Sequence, residues 1–414
     1  MAHFNRISIS VAGAESIIPK QGIGETQMGF VYSAYLFVYT LAMSPGGWFS
    51  DRFGPRLALF VVGAGSALFL GLTGMAGILW TGTQLLLGLI VVRGLMGLVN
   101  APTHPAGAQF VGQWIPPRQR NLVNGMIGLA ACTGVSLTYF VFGKLMDRFE
   151  WTGACMIVAV ATLMVALAWA FGAQVMALLT PGVPRSPSAK PTYSWEETAI
   201  QTQPTAPPTR LAAPDYAWHL LLRNRSLLML TLSYAAVNYF QYLFFYWMEY
   251  YFKVRGFGKD DSRLSSSLLS LTMGLGMASG GALTDWVRER RSVALVPVAG
   301  LLIGAAALVP CSLSDVPEVM LACIAIAMFS VGACEGAYWT TAVRLGGVRG
   351  GLAAGILNTG GNAGGLLAPV VTPFISDLYG WWAGLGLASV VCVLGAVCWG
   401  WIDPEERLEA TSDA

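Results

Sequence analysis

Long apolar runs recur along the whole chain of 414 residues, for example LALFVVGAGSALFLGLTGMAGILW at 57–80. A transmembrane helix needs about 20 apolar residues to cross about 30 Å of hydrocarbon, and these runs are long enough. Membrane-spanning strands alternate apolar and polar residues over about 10 positions, and the runs do not alternate. They therefore predict an all-α polytopic membrane protein.

The charge content agrees with this prediction. Only 11% of the residues are charged, whereas soluble domains carry about 25%. The basic residues lie in short loops between the apolar runs, so the net charge of +2 predicts no nucleic-acid partner. The seven cysteines show no CxxC spacing and no nearby histidines. We expect them to be packing residues, with no metal site and no cofactor.

Twelve transmembrane helices are predicted. Their bounds are 1–19, 26–49, 57–79, 84–114, 121–144, 153–178, 226–251, 262–285, 293–313, 318–343, 350–376 and 380–402. The stretch between the sixth and seventh spans is rich in Pro, Thr and Ser and predicts a disordered linker. We expect a six-helix bundle over 1–178, a cytoplasmic linker over 179–225, a second bundle over 226–402 and a cytoplasmic tail over 403–414.

The positive charges predict the orientation in the bilayer. With both termini and the linker in the cytoplasm, 15 of the 24 Lys and Arg residues are cytoplasmic and seven lie outside. The other two, Arg6 and Arg93, lie within spans. We expect an integral protein of the cell (inner) membrane, with both termini cytoplasmic, that functions as a monomer.

The two predicted bundles share a similar loop sequence. GGWFSDRFGPR follows the second span and GGALTDWVRER follows the eighth. In each, an aspartate lies four residues after a glycine pair and is followed by basic residues. Two parallel six-span repeats are the plan of a transporter whose halves rock around a substrate held near the middle of the membrane.

Two motifs resemble a known family. GGWFSDRFGPR is similar to the loop signature of the major facilitator superfamily, G-x-x-x-D-R-x-G-x-R. RGLMGLVNAPTHPAGAQFVGQWIPPRQR resembles the fourth span of its anion:cation symporter family, which includes galactonate, hexuronate and vesicular glutamate transporters. The resemblance covers the whole chain and implies the major facilitator fold and an alternating-access carrier of organic anions.

Arg93 is the leading candidate for binding the substrate. A charge at bilayer depth costs at least about 2.5–3.5 kcal/mol and usually faces a cavity or a partner, although an arginine can also snorkel to the interface. The resemblance implies a place in the central cavity. Asn100 and His104 return to the same helical face within about 20°. Gly97 and Gly107 share that face, so a close helix contact is the alternative, and the favoured one for His104.

The position of Arg6 in the first span has two interpretations. Arg6 marks the cytoplasmic edge of a short span, or it lies in the middle of the membrane as a binding residue. In the family a D-R or similar pair lies near the middle of the first span, and Asn5–Arg6 matches that pair after only four residues. The resemblance therefore implies that Arg6 faces the cavity. It also implies that the native product begins upstream of Met1, so that the first helix is truncated here.

Asn5 and Asn100 bear on whether transport is coupled to protons. Proton-driven family members resemble this chain but carry Asp at position 5 and Glu at position 100, where it has Asn5 and Asn100. A carboxamide can neither titrate nor neutralise an arginine. We expect an electropositive cavity suited to an anion, and the usual proton coupling is in question. Glu335 in the tenth span is the other coupling candidate, with a structural acid as its alternative. Glu249 is expected to touch water.

Further substrate contacts are expected from the second and eleventh spans. Tyr32 and Tyr39 share a helical face with Tyr35 and offer hydroxyl groups and rings to a sugar acid, with a packing stripe as the alternative. Asn358 and Asn362 lie four residues apart, and buried amides are costly unless they are hydrogen-bonded. The family pattern N-x-x-G-N implies substrate contact for both. Three residues of the seventh span are weaker candidates: Asn238, Gln241 and Tyr242.

The loop after the second span has a different expected role. Asp51, Arg52 and Arg56 lie at the cytoplasmic ends of helices. We expect them to form a gating loop that links helix ends and breaks as the halves rock, without touching the substrate.

The sequence thus predicts a secondary active transporter of a small organic anion, with a sugar acid such as a hexonate or hexuronate as the first choice. A coupled proton or other cation and the lipid bilayer are the other expected partners. A carrier of phosphate or phosphorylated metabolites is an alternative, because two uncompensated arginines can hold a phosphate. A transport-inactive membrane sensor is a second alternative. No nucleophile–base pair or phosphate-binding glycine loop is present, so an enzyme is not predicted.

Overall fold

The computed structural model describes residues 1–114, 120–179, 221, 223–288, 293–346, 350–403 and 406. Within these ranges the side chains of 51, 108–109, 111–114, 120–125, 173–179, 285–288 and 350–352 are not described. Most of the predicted linker and tail lies outside the described residues. The described part consists of helices joined by short turns, as the apolar runs predict.

The first half contains seven labelled helices. They are α1 (Ala2–Ala12), α2 (Glu25–Phe53), α3 (Pro55–Leu79), α4 (Gly82–Asn100), α5 (Thr103–Trp114), α6 (Arg120–Leu137) and α7 (Gly143–Leu179). A π-helical turn, Gly13–Ile17, and a last turn, Ile18–Gln21, extend α1. A second π-helical turn, Thr138–Phe142, joins α6 to α7, which is broken at Glu150.

The second half contains the other seven. They are α8 (Arg225–Val254), α9 (Lys259–Arg288), α10 (Leu295–Leu313), α11 (Pro317–Ala333), α12 (Glu335–Gly346), α13 (Gly350–Tyr379) and α14 (Trp381–Cys398). The pairs α4–α5 and α11–α12 each form one bent pass. The described helices therefore make twelve passes in two sets of six, as predicted from the sequence.

The outer faces of these helices suit a bilayer. Seven of the described helical stretches are long and apolar enough to cross a membrane. Large apolar side chains such as Phe37, Leu87 and Val160 are exposed on the outside of the bundle. A soluble protein rarely exposes so much contiguous apolar surface. The chain is an integral membrane protein.

Glycine sets the turn between α2 and α3. Gly54 has φ of 84°, a left-handed conformation that favours glycine, and Pro55 then begins α3. This is the glycine of the GGWFSDRFGPR motif, so a reversal of the chain explains why the motif needs a residue without a side chain at this position.

The two halves meet along three pairs of helices: α2 with α13, α6 with α9, and α1 with α8. These contacts surround the centre of the molecule. We call the end where α1 finishes at Gln21 the turn end, and the opposite end, where α7 finishes and α8 begins, the linker end.

Candidate functional site

A narrow cavity of about 10 Å³ lies beside α1 in the first half, which is room for about one water molecule. Four helices, α1, α2, α4 and α5, contribute its lining residues, which are Ala2, His3, Arg6, Tyr35, Tyr39, Asn100, Thr103 and His104. His104 and Met1 are exposed, which places the opening toward the linker end. Small-molecule pockets usually measure about 300–1,000 Å³, so the cavity has to widen before it encloses a ligand of several carbon atoms.

Arg6 is the charged centre of this cavity. Its side chain is buried, its Nε donates a hydrogen bond to the Tyr246 hydroxyl at 3.2 Å, and its Nη2 has no partner among the described residues. The guanidinium lies 4.4 Å from the ring centre of Tyr242 and 5.0 Å from that of Tyr35. Cation–π contacts of this kind contribute about 0.5–2 kcal/mol. They hold the cation in place and leave one N–H group free.

Arg93 occupies a different position from the one expected. It is completely buried, and its Nη1 donates to the main-chain carbonyl of Asn5 at 3.1 Å while its Nη2 donates to that of Arg6. It does not line the cavity. Arg93 therefore holds the backbone of α1 at the residue that carries the cavity charge.

The two asparagines at the family's acidic positions are both engaged within the first half. Asn5 exchanges hydrogen bonds with Thr162 of α7, at 3.0 and 3.2 Å. Asn100 accepts a hydrogen bond from Ser66 at 3.0 Å and donates to the Met96 carbonyl at 2.8 Å. Asn100 lines the cavity whereas Asn5 does not.

The tyrosines of α2 divide into two groups. Tyr35 and Tyr39 line the cavity and stack on each other with ring centres 5.8 Å apart. Tyr32 instead stacks on Tyr246 at 4.8 Å, and its hydroxyl lies close against Gly13 of α1. Tyr32, which we expected to bind substrate, is thus packed between the halves, away from the cavity. His104 meets the edge of the Tyr39 ring at 6.5 Å.

Asn358 and Asn362 share one face of α13, as their spacing predicts. Asn362 donates to the Asn358 carbonyl at 2.9 Å. Both amide groups point at the sulfur of Met43 on α2, at 3.7 and 3.5 Å. The pair therefore sits at the contact between the halves, where a weak sulfur acceptor is its only cross-half partner within the described residues.

Glu335 lies at the bend between α11 and α12. One carboxylate oxygen accepts hydrogen bonds from Tyr234 at 2.6 Å and from Trp339 at 2.8 Å, and the other oxygen has no partner among the described residues. The weaker candidate Asn238 donates to the Tyr234 carbonyl at 3.1 Å. It lies on α8 between Tyr234, which binds Glu335, and Tyr242, which packs on Arg6.

The seventh span contributes more to the site than its sequence predicts. Tyr242 and Tyr246 lie four residues apart on α8 and together hold the Arg6 side chain from the second half. The usable signal was their i, i+4 spacing on a helix expected to face the other bundle. It was outweighed because the run NYFQYLFFYW is aromatic throughout and resembles ordinary packing.

The predicted gating loop lies at the linker end. Arg56 donates to the Ala170 carbonyl at 2.7 Å, and Arg52 lies over the rings of Trp48 and Phe53. Asp51 belongs to the last turn of α2, and its side chain is outside the described residues. The described contacts of Arg52 and Arg56 stay within the first half, and none reaches the cavity.

The turn end is held together by four charged residues, which we call the ion network: Glu15, Asp147, Lys259 and Arg263. Arg263 of α9 is buried and binds both oxygens of Glu15 at 2.6 and 2.7 Å, and it binds Asp147 of α7 at 2.6 Å. Lys259 binds Asp147 as well. Because Glu15 and Asp147 belong to the first half and Arg263 to the second, the network joins the halves.

Further contacts close the same end. Thr26 donates to Asp377 at 3.0 Å, and Lys253 donates to the Ala14 carbonyl at 2.7 Å. The expectation that Glu249 touches water is wrong, because only 1% of its surface is exposed. Its place near the end of α8 suggested water, but α1 and α9 cover it there. The structure is closed at the turn end.

Comparisons with known proteins agree with this architecture. The sequence profile of the Major Facilitator Superfamily matches residues 1–351. A probable galactarate/D-glucarate transporter of Bacillus subtilis (strain 168) is 24% identical over 402 residues, covering 94% of this chain and 87% of the relative. A D-galactonate transporter of Escherichia coli O6:H1 is 25% identical over 414 residues, covering 96% and 91%.

A solved structure has the same fold. A bacterial homologue of the human lysosomal transporter Spinster, in an inward-facing and unoccupied conformation, superposes with a TM-score of 0.70 at 18% identity. The superposition covers 96% of this chain and 94% of that chain. With twelve passes in two sets of six and a family profile that matches most of its length, the chain belongs to the major facilitator superfamily.

Proposed function

We propose that the protein is a secondary transporter that moves a small sugar-acid anion across the membrane by alternating access. The observation that carries this proposal is the buried guanidinium of Arg6, whose Nη2 lacks a partner among the described residues. The ion pairs found among those residues do not include Arg6. A substrate carboxylate would supply the missing charge and acceptor.

The surroundings of Arg6 favour an acid that also carries hydroxyl groups. Tyr39, Asn100 and His104 bring a phenol, an amide and an imidazole to the same cavity. These groups can donate to or accept from sugar hydroxyls, while the rings of Tyr35 and Tyr39 cover apolar faces of a sugar chain. Asn358 and Asn362 lie on the opposite half, where they can reach the substrate once the halves close around it.

The relatives support the same substrate class, because those reported above are named for galactarate, D-glucarate and D-galactonate. They favour a sugar acid over the phosphate carrier and over the transport-inactive sensor. Within the cavity we assign substrate binding to Arg6 and Tyr39, with Asn358 and Asn362 completing the site. We assign Arg93 and Tyr32 to positioning α1, rather than to direct contact.

The charges favour an orientation with the linker end in the cytoplasm of the cell membrane. In that orientation the ion network closes the outer side, and the cavity opens inward. Residues 1–178 and 226–402 then act as two rocking bundles, joined by the cytoplasmic stretch 179–225, in a monomer whose tail over 403–414 is cytoplasmic. Arg52 and Arg56, with Asp51, would act on the inner side of the first bundle.

Uptake into proteoliposomes tests the proposal. Purified protein is reconstituted and offered labelled D-galactonate, D-glucarate, D-glucuronate, D-galactose or phosphate, with and without an inward proton gradient. We expect saturable uptake of at least one of the acids and none of galactose. Arg6→Gln should abolish that uptake, whereas Arg148→Gln, which changes an exposed arginine at the turn end, should not. Phosphate uptake without sugar-acid uptake would contradict the proposal.

A further inference from the structure

Glu249 is an acid without a donor. It lies near the end of α8, it is 1% exposed, and neither carboxylate oxygen meets an N–H or O–H donor among the described residues. Glu335, by comparison, receives two donors on one oxygen. A buried carboxylate with neither a donor nor a bound cation costs several kcal/mol. The Glu249 carboxyl group therefore carries a proton when the turn end is closed.

The neighbour of Glu249 is a second acid. The carboxyl group of Glu15, on the π-helical turn after α1, lies within hydrogen-bonding range of that of Glu249. Two carboxylates offer only acceptors to each other, so this contact requires a proton between them. Glu15 is itself fixed as the charged partner, because Arg263 binds both of its oxygens and Lys259 lies 3.4 Å away.

We propose that Glu249 and Glu15 form a proton-binding site that couples opening of the turn end to proton exchange. The proposal rests on the proposed transport function and deepens it, since it names the acid whose protonation controls closure of the turn end during the transport cycle. In the closed state Glu249 holds the proton and donates it to the Glu15 carboxylate. On opening, the proton passes from Glu249 to Glu15 and then to water, which leaves two carboxylates.

The route to water is present in the structure. Glu15 also lines a cleft of about 270 Å³ at the turn end, with Ser16, Lys20 and Glu150 among its walls. Glu249 does not line it. Glu15 thus lies between the buried Glu249 carboxyl group and the cleft. Water reaches Glu249 only when α1 separates from α8.

The charged and titratable groups around Glu249 agree with one exchangeable proton. Arg263 faces the pair from α9, Lys253 extends from α8 itself to the Ala14 carbonyl, and the phenols of Tyr32 and Tyr139 approach from the first half. In the closed state Arg263 and Lys259 balance the single carboxylate, on Glu15. Separation of the halves removes Arg263 from Glu15 and so changes the affinity of the site for a proton.

The exposed ion pair Lys144–Asp260 at the same end titrates in a more acidic pH range than the one relevant to Glu249. Lys144 donates a hydrogen bond to Asp260 at 2.7 Å, which lowers the pKa of that carboxyl below its ordinary value of 3.8. A lowered pKa means that this pair contributes to closure above the ordinary value and loses that contribution only in stronger acid. A pH effect between about pH 5 and 8 therefore cannot come from Asp260.

Substrate exchange at equal pH on both sides of the membrane gives the first test. Proteoliposomes loaded with unlabelled D-galactonate, or whichever acid the wild type takes up, exchange it for labelled substrate at a series of pH values between about 5 and 8. We expect the wild-type exchange rate to depend on pH, because the turn end opens when Glu249 loses its proton. Glu249→Gln keeps the shape of the protonated acid and cannot titrate, so we expect this pH dependence to be lost. Glu318→Gln, an exposed acid at the same end, is the matched control and should keep the wild-type pH dependence.

An infrared measurement decides the site even if the protein transports none of the tested acids. The carbonyl stretch of a protonated carboxyl group is followed as the pH of the detergent-solubilised protein is raised. We expect a band that Glu249→Gln removes, that Glu249→Asp retains at a shifted frequency and that Glu318→Gln leaves unchanged. A wild-type pH dependence of exchange in Glu249→Gln, or a protonated-carboxyl spectrum of that variant identical to that of the wild type, would overturn the proposal. Absence of sugar-acid uptake by the wild type would instead count against the transport function.

Discussion

Arg93 donates a hydrogen bond from its guanidinium to the main-chain carbonyl of Arg6. Its second terminal nitrogen binds the carbonyl of Asn5 at 3.1 Å. One arginine of the first half thus holds the backbone that presents the other to the cavity. Each arginine has one guanidinium nitrogen without a partner among the described residues, Nη2 of Arg6 and Nε of Arg93, but only Arg6 lines the cavity. We therefore infer different roles for the two charges.

Substitution of Arg93 should therefore lower the stability of the fold as well as transport. Arg93→Met leaves two carbonyl groups of α1 without their buried donor, and each lost buried hydrogen bond costs about 1–3 kcal/mol. We expect a lower melting temperature together with weak transport. Arg6→Met should keep the melting temperature near that of the wild type and lose transport alone. Equal melting temperatures for both variants, measured in one detergent, would contradict this division of roles.

The close packing of α4 on α2 leads to the second prediction, which concerns Gly97. A Cβ atom on Gly97 would lie 2.3 Å from the Tyr35 carbonyl oxygen, whereas a Cβ on Gly107 would meet nothing within 4 Å. Gly97→Ala should force the helices apart, at a cost of about 1–3 kcal/mol, and displace Tyr35 from the cavity. Gly107→Ala is the matched control. Thermal unfolding should separate the two variants, and equal stability would show that α4 does not touch α2 at this point.

The tyrosines of α2 give a third prediction. Tyr39 lines the cavity, while Tyr32 is stacked against Tyr246 outside it. Removal of one hydroxyl that binds substrate costs about 0.5–1.5 kcal/mol. Tyr39→Phe should therefore raise the substrate concentration needed for half-maximal uptake by up to about tenfold. Tyr32→Phe should change that concentration little. A larger effect from Tyr32→Phe would place the substrate deeper, between α1 and α8.

Closure of the turn end gives a fourth prediction. Thr26 and Asp377 meet across the halves, with 3.0 Å between the hydroxyl and the carboxylate. In a background without the seven native cysteines, Thr26→Cys combined with Asp377→Cys should cross-link on oxidation and stop transport. A reductant should restore it. Either cysteine alone serves as the control, and full transport in the cross-linked protein would show that this end need not open.

Much of the fold follows from the sequence for a simple physical reason. A helix that crosses a bilayer must satisfy its own backbone and be apolar for about 20 residues, so twelve runs are visible as twelve passes. The repeated GGWFSDRFGPR and GGALTDWVRER motifs reveal the two halves in the same way. The bend at Cys334 is not visible, because a bend within a pass does not change the apolar pattern, whereas Pro102 marks the bend at Ala101.

The site was harder to predict, because a charge in a span does not reveal its partner. Arg6 and Arg93 look equivalent in the sequence, yet Arg93 binds carbonyl groups, which every residue carries and no motif records. The acids at the turn end were also hidden. Glu15 and Arg263 lie far apart in the chain, and their pairing depends on how the two bundles meet. Glu249 is buried by that same meeting, and its position near a helix end suggested water instead.

The central claim is that the free guanidinium of Arg6 binds the carboxylate of a sugar acid. Equilibrium binding of D-galactonate, D-glucarate and D-glucuronate to the purified protein, measured by calorimetry alongside Arg6→Gln and Arg148→Gln, tests it most directly. A hydrogen bond to a charged group contributes about 1.5–3 kcal/mol, so Arg6→Gln should weaken binding by about 10- to 100-fold while Arg148→Gln leaves it unchanged. Binding of these acids with the same affinity by wild type and Arg6→Gln would contradict the account.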